Sequence, residues 1–151
     1  MIGIQRSIAI HAPAARVFEQ LDEPDHLLEI WPSLAEVSNA RVEPDGRHAF
    51  DWAYRMAGVR FRGHCDTVEI DRGRRRVDHN EGGIPSTFRW TFEPRGPDTD
   101  VKLEIDYELP GLLGFVAGPV LRVLNEREAE TLLQNLKLRI ETGVTPVARD
   151  A

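Results

Sequence analysis

The chain has 151 residues, 41% of them hydrophobic and 29% charged, with 19 Lys and Arg against 25 Asp and Glu for a net charge of −6. That length suits one ordinary domain with a substantial core, and the negative balance, without a dense basic patch, excludes general nucleic-acid binding. A single cysteine, Cys65, excludes an internal disulfide and fits a reducing cytoplasm, and no apolar run is long enough to cross a bilayer as a helix, so a cytoplasmic protein that is not integral to a membrane is expected.

Residues 4–10 alternate and put Ile8 and Ile10 on the inward face of a first strand. His11-Ala12-Pro13 turns the chain, and Val17, Phe18 and Leu21 share one face of a short helix. Asp22-Glu23-Pro24 starts a second short helix carrying Leu27, Leu28 and Ile30, which Trp31-Pro32 ends because proline biases its predecessor away from helix. From Ala35 onward, turn clusters at 44–46, 57–58, 71–73, 82–83 and 94–97 cut the chain into antiparallel strands. Phe50, Trp52, Tyr54 and Met56, then Val59, Phe61, Gly63 and Cys65, form one apolar face, which Phe88, Trp90, Phe92, Val101, Leu103, Ile105 and Tyr107 continue.

Turn positions predict a register. If Ala57-Gly58 closes a two-residue hairpin, Met56 faces Val59, Tyr54 faces Phe61, and Trp52 covers Gly63. If Asp71-Arg72-Gly73 closes the next, Ile70 faces Arg74, Thr67 faces Val77, and Cys65 faces His79 on the inner side. The basic run Arg72, Arg74, Arg75 and Arg76 then reads as a solvated turn.

Pro119 suits a first helical turn and Gly143 a helix end, and the stretch between lacks internal Gly or Pro. At about 100° per residue, Leu121, Leu124, Ala129, Leu132, Leu133, Leu136 and Ile140 form one apolar stripe that demands a surface of matching length. Asn125 and Glu128 fall within that stripe and Asn135 at its edge. Polar groups between a sheet and its closing helix point to a pocket.

Strand, two short helices, six further strands and a long helix is an order that resembles the START/Bet v 1-like superfamily, also called SRPBCC or polyketide cyclase/dehydrase-like proteins, along essentially the whole chain. The segment Ile8-Ala9-Ile10-His11-Ala12-Pro13-Ala14-Ala15-Arg16-Val17-Phe18, the stretch from Pro24 to Trp31-Pro32, and the exit Tyr107-Glu108-Leu109-Pro110-Gly111 carry the likeness. The resemblance implies an α+β helix-grip fold, a curved antiparallel sheet of about seven strands wrapped around a C-terminal helix, with a cavity between them. It supplies no shared catalytic signature.

Apolar walls with a few placed polar atoms suit a hydrophobic small molecule such as a lipid, isoprenoid or polyketide-like aromatic. The expected ligand-binding residues are Trp52, Tyr54, Phe61, Cys65, His79, Phe88, Trp90, Ile105, Tyr107, Leu124, Asn125, Glu128, Leu132 and Asn135. The aromatic residues serve equally as core, and Glu128 either enters the pocket or reaches solvent at the helix edge. An enzymatic alternative is a cyclase or dehydratase moving protons with His79 and Glu128. Cys65 beside His79 would make a nucleophile pair, although lone cysteines usually pack as small hydrophobes. The histidine spacing resembles no metal motif, so neither metal nor cofactor is expected. The apolar, glycine-studded segment 109–118 reads as a gate, with Leu112, Leu113 and Phe115 meeting Leu28 and Trp31, or alternatively as a homodimer or partner contact.

Overall fold

The computed structural model describes residues 2–56, 58–108 and 118–147. Strand β1 (Ile2–Ile10) leads through α1 (Ala14–Asp22) and the one-turn α2 (Pro24–Leu27) into six strands: β2 (Leu34–Val42), β3 (His48–Met56), β4 (Val59–Asp71), β5 (Arg75–Gly82), β6 (Ser86–Arg95) and β7 (Asp98–Tyr107). Helix α3 (Gly118–Thr142) follows. The strands form one antiparallel sheet in the order β1-β7-β6-β5-β4-β3-β2, so β1 crosses to pair with the last strand and every other neighbour is a hairpin partner.

Alternation drives the sheet onto the helix. Along β7 every second residue is buried, and Val101, Leu103, Ile105 and Tyr107 face inward. They meet the α3 stripe, where Ala129, Leu132, Leu133, Leu136 and Ile140 are buried. Gly143 stops that helix at a φ of 78°, which glycine adopts without steric cost, while its N–H donates to the Arg139 carbonyl at 3.0 Å. Salt bridges lace α3 to β1. Arg6 reaches Glu130 at 3.0 Å and Glu126 at 3.5 Å, and Lys137 donates to the Ala9 carbonyl at 2.6 Å.

The β3–β4 register is the expected one: Met56 pairs with Val59, Tyr54 with Phe61, and Trp52 with Gly63. A Cβ on Gly63 would stand 2.2 Å from the Trp52 ring and 2.3 Å from the Glu81 carbonyl, so the indole lies on bare backbone.

The β4–β5 register differs from expectation. The loop holds three residues, Arg72 to Arg74, with Gly73 at a φ of 84°, and Asp71 pairs with Arg75. A bulge then inserts Val68, which stands 57% exposed between the paired Thr67 and Glu69. Together these place Asn80, not His79, opposite Cys65, and turn Arg76, Asp78 and Asn80 inward.

Arg76 is therefore no solvated turn residue. It is completely buried, and its guanidinium donates to Asp22 at 2.7 Å, Asp78 at 3.1 Å, and the Gly46 carbonyl and Thr67 hydroxyl at 3.0 Å each. These bonds tie β5 to the end of α1, the β2–β3 loop and β4. Arg72 joins from the surface, 2.8 Å from Asp22 and over the Phe18 ring.

Removing the guanidinium leaves buried Asp78 without its cation and Asp22 with only the exposed Arg72, so Arg76→Met should destabilise the protein by about 3–5 kcal/mol, against less than about 0.5 kcal/mol for exposed Arg74→Met. Equal denaturation midpoints for the two variants would contradict this. Gly63→Ala should cost about 1–3 kcal/mol by overpacking against Trp52 and the Glu81 carbonyl, read in the same urea titration.

Candidate functional site

The inner face of the sheet has a solid end and an open one. At the α1 end, Ile10, Val17, Phe18, Leu21, Val101 and Leu103 are fully buried, and the Phe18 and Phe92 rings lie 4.6 Å apart. At the other end a chamber of ≈ 70 Å³ separates α3 from the strands. Ala129 on the helix and Ser86 on the sheet are short side chains in a ring of large ones. The remaining lining is Ile4, Trp31, Leu34, Phe50, Trp52, Tyr54, Met56, Asn80, Ile84, Phe88, Ile105, Tyr107, Asn125, Glu128 and Leu132.

The polar atoms of this chamber are few. The Tyr54 hydroxyl donates to Glu128 Oε1 at 3.3 Å, a long bond, and Trp52 Nε1 donates to Asn80 Oδ1 at 3.1 Å. Desolvation raises the Glu128 carboxyl above its ordinary range, and the bond from Tyr54 opposes that only in part. Burial likewise pushes the Tyr54 phenol far up, with the Glu128 charge adding to it. Burial raises the Tyr107 phenol too; its hydroxyl makes no hydrogen bond of standard geometry among the described residues, although the neighbouring Asn125 amide offsets part of the rise. Asn125 itself donates to the Met56 sulfur at 3.7 Å. Chemically, the chamber offers one carboxyl that exchanges a proton nearer neutrality than usual, two phenols held neutral, and an aromatic wall.

Of the residues expected to bind a ligand, Trp52, Tyr54, Phe88, Ile105, Tyr107, Asn125, Glu128 and Leu132 line the chamber, as does Trp31 from the expected gate. Phe61 and Leu124 are half-buried against the core, outside the lining, as is Leu28. Trp90 stacks on Phe92 toward the solid end, with centroids 6.4 Å apart. Asn135 donates to the Ile30 carbonyl at 2.9 Å, fastening α3 to the chain leaving α2. Leu112, Leu113 and Phe115 lie outside the described residues.

His79 stands on the outer face, corrected by the bulge at Val68. Its ring meets Thr87 at 3.3 Å and exposed Glu81 at 3.6 Å, so it faces no cavity and cannot share a proton path with Glu128. Cys65 is buried away from the lining, and burial pushes its thiol well above the ordinary range, with Asp78 adding to the rise; both oppose a nucleophilic thiolate. Asn80 and Ser86 are the polar lining residues that alternation missed. Gly63 and Gly82 carried the missing signal: they pair directly, a Cβ on Gly82 would meet the Gly63 Cα at 2.7 Å, and that match alone aligns Cys65 with Asn80.

A second polar cluster occupies the solid end. Ligand atoms of His48, Cys65 and Asp78, all buried, lie within 4.8 Å of one another, a spacing compatible with a metal ion. His48 Nδ1 lies 2.7 Å from the Asp22 carbonyl, which only accepts, so that nitrogen carries the hydrogen. Burial lowers the His48 pKa, keeping the ring neutral. Arg76, 3.1 Å from Asp78 and 3.4 Å from His48 Nε2, already supplies the positive charge that a metal would bring. The cluster is an ion-pair network satisfied by the protein itself.

Sequence comparison agrees with this architecture. A model of the family described as polyketide cyclase / dehydrase and lipid transport matches residues 1–141. The chain belongs to that family. No functionally curated protein matches it. Among solved structures, TTHA0849 from Thermus thermophilus is 24% identical with a TM-score of 0.81, over 94% of this chain and 99% of that one. A START superfamily protein from Mycobacterium smegmatis is 16% identical with a TM-score of 0.79, over 94% and 99%. The Zhui aromatase/cyclase from a Streptomyces species is 18% identical with a TM-score of 0.70, over 94% and 97%. At these identities the likeness establishes the fold. No helix among the described residues is long and apolar enough to cross a membrane.

The raised Glu128 carboxyl has a consequence for stability. Because its folded pKa lies above the ordinary 4.5, folding takes up a proton between the two values, so its contribution is fully present below pH 4.5 and is lost as pH rises through the folded pKa. Glu128→Gln lacks that loss. Its Tm should exceed the wild type's at pH 8, with the gain shrinking at pH 4; a gain independent of pH would contradict the assignment.

Proposed function

We propose that this protein binds a small, largely apolar molecule in the chamber between α3 and the sheet. The observation that carries the reading is the aromatic chamber itself, held open at one end of an otherwise solid core. Native cores leave few voids larger than a water molecule, and this one has room for about five to seven waters at roughly 10–15 Å³ each. The proposed guest is of one-ring size in this state, and an extended lipid or multi-ring polyketide would have to part the helix from the sheet. Trp31, Tyr54 and Phe88 supply the walls, while Glu128, Asn80 and Asn125 orient the guest.

A second reading, a cyclase or dehydratase, is favoured by the Glu128–Tyr54 pair: a carboxyl raised by desolvation beside a neutral phenol is an acid/base arrangement. The solved aromatase/cyclase of the same fold makes this chemistry worth testing here. His79 has no part in it.

The neutral one-ring molecule toluene provides a test. Titrated into wild-type protein and followed by protein-observed NMR, it should shift signals of the chamber residues, and Ala129→Phe, which fills the chamber from the helix side, should weaken binding by tenfold or more while the circular dichroism spectrum is retained. Equal affinity in a folded Ala129→Phe variant would place toluene, and any such guest, elsewhere.

A further inference from the structure

Glu128 is the one charged side chain lining the chamber among the described residues. No arginine, lysine or histidine among them perturbs it; its polar partner is the Tyr54 hydroxyl at 3.3 Å. Residues 109–117, which lie outside the described residues, contain no charged side chain in the sequence either. The carboxylates at the other end of the core are treated very differently. Asp22 and Asp78 share the fully buried Arg76. Burying a carboxylate is costly unless a cation compensates it, and Glu128, half-buried in the chamber wall, has no cation beside it among the described residues.

The surroundings of Glu128 are aromatic. The Trp31 ring meets Tyr54 edge-on at 5.6 Å and Phe88 at 5.3 Å, with interplanar angles of 73° and 45°. Three rings inclined to one another line the same chamber as this one acid, and the face of an aromatic ring is its negative side. An apolar guest alone has no use for that charge, and an anionic guest is repelled by it. The net charge of −6 adds in the same direction.

Building on the proposed ligand chamber, we infer that its guest carries a compact cationic group, an ammonium or quaternary amine on an apolar body, seated between Glu128 and the Trp31, Tyr54 and Phe88 rings. The cation supplies the missing counter-charge of the carboxylate, and the aromatic faces replace the water it leaves behind.

The test is a pair of molecules of nearly one shape, phenyltrimethylammonium and tert-butylbenzene, which differ in a charged nitrogen against a carbon. Titrated at pH 8 into the full chain and followed by Trp fluorescence and protein-observed NMR, the cation should bind at least tenfold more tightly. Glu128→Gln should erase that ratio, and Trp31→Leu should reduce it. Equal affinities, or tighter binding of tert-butylbenzene to wild type, would overturn the cation inference and leave the apolar chamber standing. A ratio unchanged in Glu128→Gln would overturn it as well. Binding of neither molecule would count against both readings.

Discussion

One guanidinium that water does not reach sets the frame of this molecule. Arg76 sits on β5, yet its donors end on the C-terminus of α1, on the loop between β2 and β3, on β4 and on its own strand. A long cationic side chain inside a protein must find acceptors for its donors, and here the search draws four separate segments to one point. Gly46 belongs to the same demand, because a Cβ there would stand 2.4 Å from Arg72 and 2.6 Å from Asp22. With that end bolted, α1 packs solidly on the sheet, and the mismatch between a curved sheet and a straight helix is left at the opposite end.

The two ends treat polarity in opposite ways, and the difference separates architecture from function. At the Arg76 end each charge is met by another. In the chamber, Glu128 has one long hydrogen bond, and the Tyr107 hydroxyl has no standard bond among the described residues. Under-satisfied polar groups in a core call for a partner, and the proposed ligand is one that would complete them. Membership in the family described as polyketide cyclase / dehydrase and lipid transport accords with the proposed ligand chamber.

The fold was legible because its signals are redundant. Five alternating stretches, a proline and a glycine bracketing one long apolar stripe, and turn residues between them all agree, so no single misreading moves an element. The β3–β4 register was legible for a local reason, the two-residue turn and the glycine beneath Trp52. The β4–β5 register was not, since a bulge at Val68 carries little mark in composition, and each residue of slip exchanges the faces of a strand. That is why His79 was expected inside and Arg76 outside, when both are reversed. The inward faces of β3 and β7, Phe88 on β6 and the α3 stripe were legible, because alternation and helical period tell inward from outward. Alternation does not tell which inward residues meet a void: Trp90 and Phe88 share a face, and packing fills the space beside Trp90.

The proposed ligand binding depends on a persistent void at one end of the core, and xenon reports such a space directly because it enters apolar cavities without needing a hydrogen bond. A crystal of the protein held under xenon pressure should show an atom of the gas among Trp52, Ile84, Phe88 and Leu132. Electron density with those side chains in mutual contact and no xenon between them would contradict the chamber, and with it the functional reading.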